Sequence, residues 1–125
     1  MFENTKTTVS QGSVGLAGAI FYYQRSGYNV SIPIVDNQKY DLIIEKDGKL
    51  LTVQVKTSRV FKKDGWQVQL KKVRPNKTKN VISPLEQTDF LFILCGDGTC
   101  FSIPFDKLTS LNELHTRRFT DCKID

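Results

Sequence analysis

The sequence predicts an α/β fold in which a mixed central β-sheet is flanked by helices. Three observations predict it: a helical apolar pattern near the N-terminus, a series of short β-rich runs with two joined by Asp47-Gly48, and a three-residue apolar spacing near the C-terminus. A length of 125 residues suits one domain, expected over residues 1–125. With 39% apolar and 25% charged residues the chain can bury a core, which excludes a disordered polymer.

From Ser10 to Ser26, the residues Val14, Leu16, Ala17, Ala19, Ile20, Phe21 and Tyr23 crowd one broad apolar side, and Gly27 stands where a C-terminal cap belongs. One largely buried helix is expected there. Gly12, Gly15 and Gly18 inside it each cost up to ~1 kcal/mol relative to alanine, so close packing or approach of a partner is needed to explain them. Tyr28 to Pro33 alternates as a short edge strand ended by its proline. Tyr40 to Glu45 and Leu50 to Thr57 are two β-rich runs, and Asp-Gly between such runs is among the strongest hairpin signals. Trp66 to Leu70 alternates as an exposed strand, whereas Asp89 to Cys95 is almost continuously apolar and reads as a strand covered on both faces. Gly96-Asp97-Gly98 turns the chain into a strand from Thr99 to Ile103, which Pro104 ends. Phe105, Leu108, Leu111 and Leu114 then predict a closing amphipathic helix over Phe105 to Leu114.

No run approaches the ~18–20 apolar residues of a membrane span, and Met1 to Lys6 lacks the pattern of a secretory leader. A cytoplasmic protein without a membrane partner is expected. Cys95, Cys100 and Cys122 are an odd count without CxxC spacing, so they read as small, mostly buried residues and not as a disulfide framework or zinc site. The 18 Lys and Arg outnumber 13 Asp and Glu, for a formal charge of +5. Between Arg59 and Lys79, eight basic residues stand against the single acid Asp64, a stripe that suits a phosphate backbone or, equally, a solvated surface. Lys62, Lys63, Lys71, Lys72, Arg74, Lys77 and Lys79 are the candidate phosphate contacts, and a loop from Val73 to Leu85 is expected to order on DNA. Trp66 reads as a packing residue before a base-stacking one, and His115 as a surface residue before a general base.

Three polar groups stand where a plain sheet favours apolar ones. Asp41 opens the run Leu42-Ile43-Ile44, and Gln54 and Lys56 share one face of their strand, opposite Val53 and Val55. With Asp47 and Gly48 as the two loop residues, Lys46 pairs with Lys49, and counting outward sets Asp41 opposite Gln54. Asp41, the Gln54 amide oxygen and the Val55 carbonyl can then ligate a hard ion such as Mg²⁺ or Mn²⁺, which activates a water at a scissile phosphate. Lys56 would orient that water or offset charge in the transition state. The competing reading is that Asp41 caps a strand end while Gln54 and Lys56 face solvent.

Asp41 followed by Gln54-Val55-Lys56 resembles the PD-(D/E)XK nuclease signature in the variant where glutamine replaces the second acid. The ordered set Asn4-Thr5-Lys6, the glycine-punctuated helix, Gly27-Tyr28, Tyr40-Asp41-Leu42, Gln54-Val55-Lys56-Thr57 and Ile103-Pro104-Phe105 is similar to the group I intron-associated, homing-type PD-(D/E)XK endonucleases, over Asn4 to about Leu108. The resemblance implies a restriction-endonuclease-like core, a divalent metal, double-stranded DNA as substrate, and a homo-oligomer, dimer or tetramer, that brings two sites to two strands. One position departs from it. Where an acid is expected after Gly12-Ser13-Val14-Gly15 the chain has Leu16, leaving Glu3 or Gln11 as conceivable substitutes. Three functions remain in competition: a site-specific DNA endonuclease, a Holliday-junction resolvase of the same fold, and a DNA-binding module that has lost its chemistry.

Overall fold

Thr7 starts the N-terminal helix by a reciprocal cap, its Oγ1 accepting from the Ser10 N–H at 3.0 Å while Ser10 Oγ accepts from the Thr7 N–H at 3.1 Å. Helix α1 then runs Thr8–Arg25 and stops at Ser26, after which Gly27 takes the left-handed φ of +92°. The computed structural model describes residues 1–35, 38–75 and 78–124, with residues 74 and 75 described by their backbone. The helix is less buried than its apolar pattern predicts: Gly15, Ala19 and Tyr23 are covered, while Val9 and Phe21 face outward. It lies on one face of a sheet and meets it along a single narrow stripe. The contact is closest at Gly15, where a Cβ would stand 2.5 Å from Thr57 Cγ2.

The strands are β1 Asn29–Ser31, β2 Leu42–Lys46, β3 Lys49–Ser58, β4 Val60–Lys62, β5 Gly65–Gln69, β6 Lys72–Pro75, β7 Asn80–Ser83, β8 Phe90–Cys95, β9 Cys100–Pro104, β10 Glu113–His115 and β11 Lys123–Ile124. The central sheet has the order β1-β2-β3-β8-β9-β11, and its β3–β8 pair is parallel while its other pairs are antiparallel. This is the expected mixed sheet. Lys46 pairs with Lys49, and Asp47 and Gly48 hold φ of 54° and 81°, the two left-handed positions that an Asp-Gly hairpin turn requires. The edge strand β1 and the strands after Tyr40, Leu50, Asp89 and Thr99 form where the sequence places them.

β8 separates two cores. Phe92 and Leu94 pack with Ala19, Tyr23, Leu42, Ile44 and Val53 beneath α1, whereas Leu91, Ile93 and Cys95 pack with Val68, Leu70, Ile103 and Leu114 on the other side. That second side is closed by the small sheet β10-β5-β4. The strand from Trp66 is therefore not an exposed one, since Val68 and Leu70 are fully buried. Nor does the closing helix form. Phe105–Lys107 makes a single 3-10 turn, and after it Glu113–His115 pairs with β5, Leu114 opposite Val68. Three-residue apolar spacing fits a helix, but a helix of ten residues gains too little to nucleate by itself, and Phe105, Leu108 and Leu114 reach the core from an irregular path.

Lys72–Pro75 and Asn80–Ser83 form a two-stranded ribbon, a correction to the loop expected from Val73 to Leu85. Cys95, Cys100 and Cys122 are free thiols, and burial pushes that of Cys95 up to about 12. Among the described residues no helix is long and apolar enough to cross a membrane.

Candidate active site at the mouth of the hairpin

The β2–β3 ladder ends at Leu42 opposite Val53, one pair short of the register expected for Asp41. There the chain bends. The Asp41 N–H donates to the Val53 carbonyl at 2.9 Å, and Asp41 Oδ2 turns back to accept from the Val55 N–H at 2.7 Å. Successive peptide groups of a strand face opposite sides, so Val55, like Val53, turns its N–H and C=O toward β2. With β2 ended, the Val55 carbonyl opens at the same edge as the Asp41 carboxylate.

Val53 faces the core beneath α1, and Gln54 and Lys56 project to the opposite face. Gln54 is 5% exposed, yet its Oε1 is buried without a hydrogen-bond partner. Such an orphan costs about 1–3 kcal/mol and calls for an explanation. Lys56 is half-buried and has no hydrogen bond or ion pair among the described residues. Its pKa is lowered, first by burial and then by the Lys72 ammonium, while the Asp41 carboxylate opposes the shift. Asp41, Lys56 and Lys72 therefore lie within electrostatic reach of one another.

The helix lies on the other face of β3 from Gln54 and Lys56, where it forms one wall of a cleft at Asp41. Val9, Gly12, Ser13 and Leu16, one stripe at helical spacing, line a cleft of about 350 Å³ with Asp41 and Val55. Leu16 thus stands across from Asp41, and this wall of the cleft carries no carboxylate. The two conceivable substitutes are committed elsewhere: Glu3 pairs with the N-terminal amine at 2.7 Å, while Gln11 donates to Thr57 Oγ1 at 2.6 Å and accepts from Arg59 Nε. Among the described residues no three His, Cys, Asp or Glu side chains form a metal-binding group. Asp41 and the Val55 backbone share one strand edge, and Gln54 Oε1 is a buried, unpartnered amide oxygen on the next residue of β3, of a kind that suits a hard divalent cation.

The basic stripe divides between two hairpins. Lys71 and Lys72 stand at the foot of the β6–β7 ribbon and Lys79 is exposed beside its second strand; Arg74 is described by its backbone, and Lys77 lies outside the described residues. Lys62 and Lys63 sit instead at the β4–β5 turn, where their carbonyls face His115 Nε2 at 2.9 Å and Arg117 Nη1 at 3.3 Å. Arg59 is a clamp for the N-terminal segment, its guanidinium donating to the Phe2 carbonyl at 2.8 Å and to Thr5 Oγ1 while lying over the Phe2 ring. Trp66 packs against Phe61, with centroids 5.1 Å apart, and on the second core. Both ring nitrogens of His115 are engaged, which suits a structural surface residue.

Sequence reasoning missed Asp89. Its Oδ2 accepts from the Thr52 N–H at 2.8 Å and from Thr52 Oγ1 at 3.1 Å, which fastens the start of β8 to β3 two residues before Gln54. The signal was an acid at the head of an apolar strand, as at Asp41.

A family model described as PD-(D/E)XK endonuclease matches residues 4–125 of the chain. Among solved structures, the bacterial homing endonuclease I-Ssp6803I is similar, with a TM-score of 0.76 and 28% identity over 88% of this chain and 78% of that one. No curated protein matches.

Proposed function

Because the chain belongs to the PD-(D/E)XK endonuclease family, whose members are nucleases, we propose that it is a divalent-metal-dependent endonuclease cutting double-stranded DNA at a specific site. The observation that carries this reading is the buried, unpartnered Oε1 of Gln54, on the residue next to Val55, whose N–H holds Asp41 at the strand edge. Asp41, Gln54 and the Val55 carbonyl would hold Mg²⁺ or Mn²⁺. When bound, the ion supplies Lewis-acid stabilisation of the phosphate and a water of lowered pKa.

The chain does the rest. The Val55 N–H fixes the rotamer of Asp41 through the 2.7 Å hydrogen bond, so one carboxylate oxygen is held in the strand edge and the other is left for the site. Lys56, which has no hydrogen bond or ion pair among the described residues, donates to the attacking water or to a non-bridging phosphate oxygen as negative charge grows there. Lys72 adds positive charge on the same side. Leu16 gives the helix wall of the cleft an apolar side chain. Cuts in two strands require two such sites, so a homo-oligomer, dimer or tetramer, belongs to the proposal.

The test is cleavage of a supercoiled plasmid carrying candidate target DNA, with Mg²⁺ and with EDTA. Cutting by wild type in Mg²⁺, lost in EDTA and in Asp41→Ala and Lys56→Ala, is the expected result; cutting that survives either substitution removes these residues from the site. Leu16 in the cleft favours a second reading, a DNA-binding module without chemistry. Wild type that binds duplex DNA and never cuts it would establish that alternative.

A further inference from the structure

The β6–β7 ribbon joins neither of the other sheets. A ribbon of two strands is marginal in water unless something covers a face. Described aliphatic side chains are exposed on both faces of this one: Val73 is 47% exposed, Ile82 59% and Val81 42%. The register pairs Val73 with Ile82, so two β-branched aliphatic side chains stand together on one face, with Val81 on the other. In sequence the segment from Lys71 to Leu85 contains five basic residues and no acidic one. At its foot Lys72 comes within electrostatic reach of Lys56.

An apolar pair framed by cations fits duplex DNA better than a protein surface or a lipid. The major groove, about 12 Å wide, admits a two-stranded ribbon, carries phosphates along both walls and presents the thymine C5-methyl as its apolar feature. We propose that the β6–β7 ribbon is the sequence-reading element, lying in the major groove beside the cut phosphate with Lys72 and Lys79 toward the backbone and the Val73–Ile82 face against thymine methyls. This rests on the duplex-DNA reading above and adds to it the groove, the element and the base feature that is read.

The experiment measures binding in EDTA, so it does not depend on cleavage. Preferred duplexes are selected from a random pool by wild type, by the double variant Val73→Ser/Ile82→Ser and by the opposite-face control Val81→Ser, each checked by thermal melting. Thymines of the preferred duplex are then replaced singly by deoxyuridine, which keeps pairing and lacks only the methyl. Wild type should lose about fourfold in affinity at each methyl that the ribbon covers. The double variant should bind thymine and deoxyuridine duplexes equally and lose preference at those positions, while its affinity for random duplex at low salt stays within twofold and Val81→Ser behaves as wild type. Wild type indifferent to every replacement, or a double variant that selects the wild-type sequence, overturns the inference and leaves the nuclease reading standing. Wild type that binds no duplex overturns both.

Discussion

Lys56 is a place where stability and chemistry should pull in opposite directions. Its ammonium is half-buried, has Lys72 as a neighbour, and finds no hydrogen-bond partner among the described residues. Lys56→Met keeps the chain length and removes the charge. Replacing fully buried charges by apolar groups of similar volume is neutral or stabilising by about 1–4 kcal/mol. For a half-buried group partly offset by Asp41, the lower end applies, about 1 kcal/mol, or roughly 3–5 °C in melting temperature for a chain of this size. Cleavage should fall about 100- to 1,000-fold in the same variant, the usual effect of removing one donor from a transition-state site.

The pH dependence follows from the direction of the shift. The folded state holds the Lys56 proton less tightly than the unfolded chain, whose lysine has the ordinary value of 10.5. The cost to the fold is thus complete below the depressed folded pKa and vanishes as pH rises past 10.5. Between those two values the unfolded chain carries more protons, so wild-type stability rises with pH. The advantage of Lys56→Met should be greatest below the depressed folded pKa and shrink as pH approaches 10.5. Melting of both proteins at several pH values in EDTA, with plasmid cleavage in Mg²⁺ alongside, tests this. A methionine variant that melts below wild type at pH 7, or an advantage that does not change with pH, would refute the reasoning.

Leu16→Glu places a second carboxylate in the cleft opposite Asp41 and should tighten Mn²⁺ binding at least tenfold by calorimetry; an unchanged affinity would mean that the helix wall does not face the metal. Gly15→Ala drives a methyl to 2.5 Å from Thr57 Cγ2 and should cost about 1–3 kcal/mol, read as a lower midpoint in urea. Arg59→Ala should lower melting by releasing Phe2 and Thr5 while leaving the salt dependence of DNA binding unchanged, whereas Lys72→Ala should reduce that slope by about one.

Which of these features could be read in advance depended on how local their causes are. The hairpin register follows from the left-handed positions of Asp47 and Gly48, two adjacent residues, and it carries Gln54 and Lys56 onto one face with it. The two-sided burial of β8 is equally local, written as an unbroken apolar run. The closing segment failed because Phe105, Leu108 and Leu114 have the same spacing whether they line a helix or anchor an irregular chain; the deciding partner of Leu114 is Val68, far away in sequence. The ribbon was invisible for the same reason, and so was the approach of Lys72 to Lys56, which needs β3 and β6 placed in space.

Local rules also break together at one edge of the sheet. Gln54 keeps a buried amide oxygen without a partner, Lys56 is a half-buried cation with no ion pair among the described residues, and Val55 between them lies past the last pair of the β2–β3 ladder. The first two cost free energy, and an ordinary core would replace each side chain with an apolar or paired one. Two such defects within three consecutive residues are hard to attribute to poor packing when Val53 and Leu91 to Cys95 of β8 are buried. The proposed metal and substrate would offset both, a divalent cation at the Gln54 amide oxygen and an anionic phosphate at Lys56. Divalent metal should therefore stabilise the folded chain even without DNA, raising the melting temperature of wild type and leaving that of an Asp41→Ala/Gln54→Leu variant unmoved.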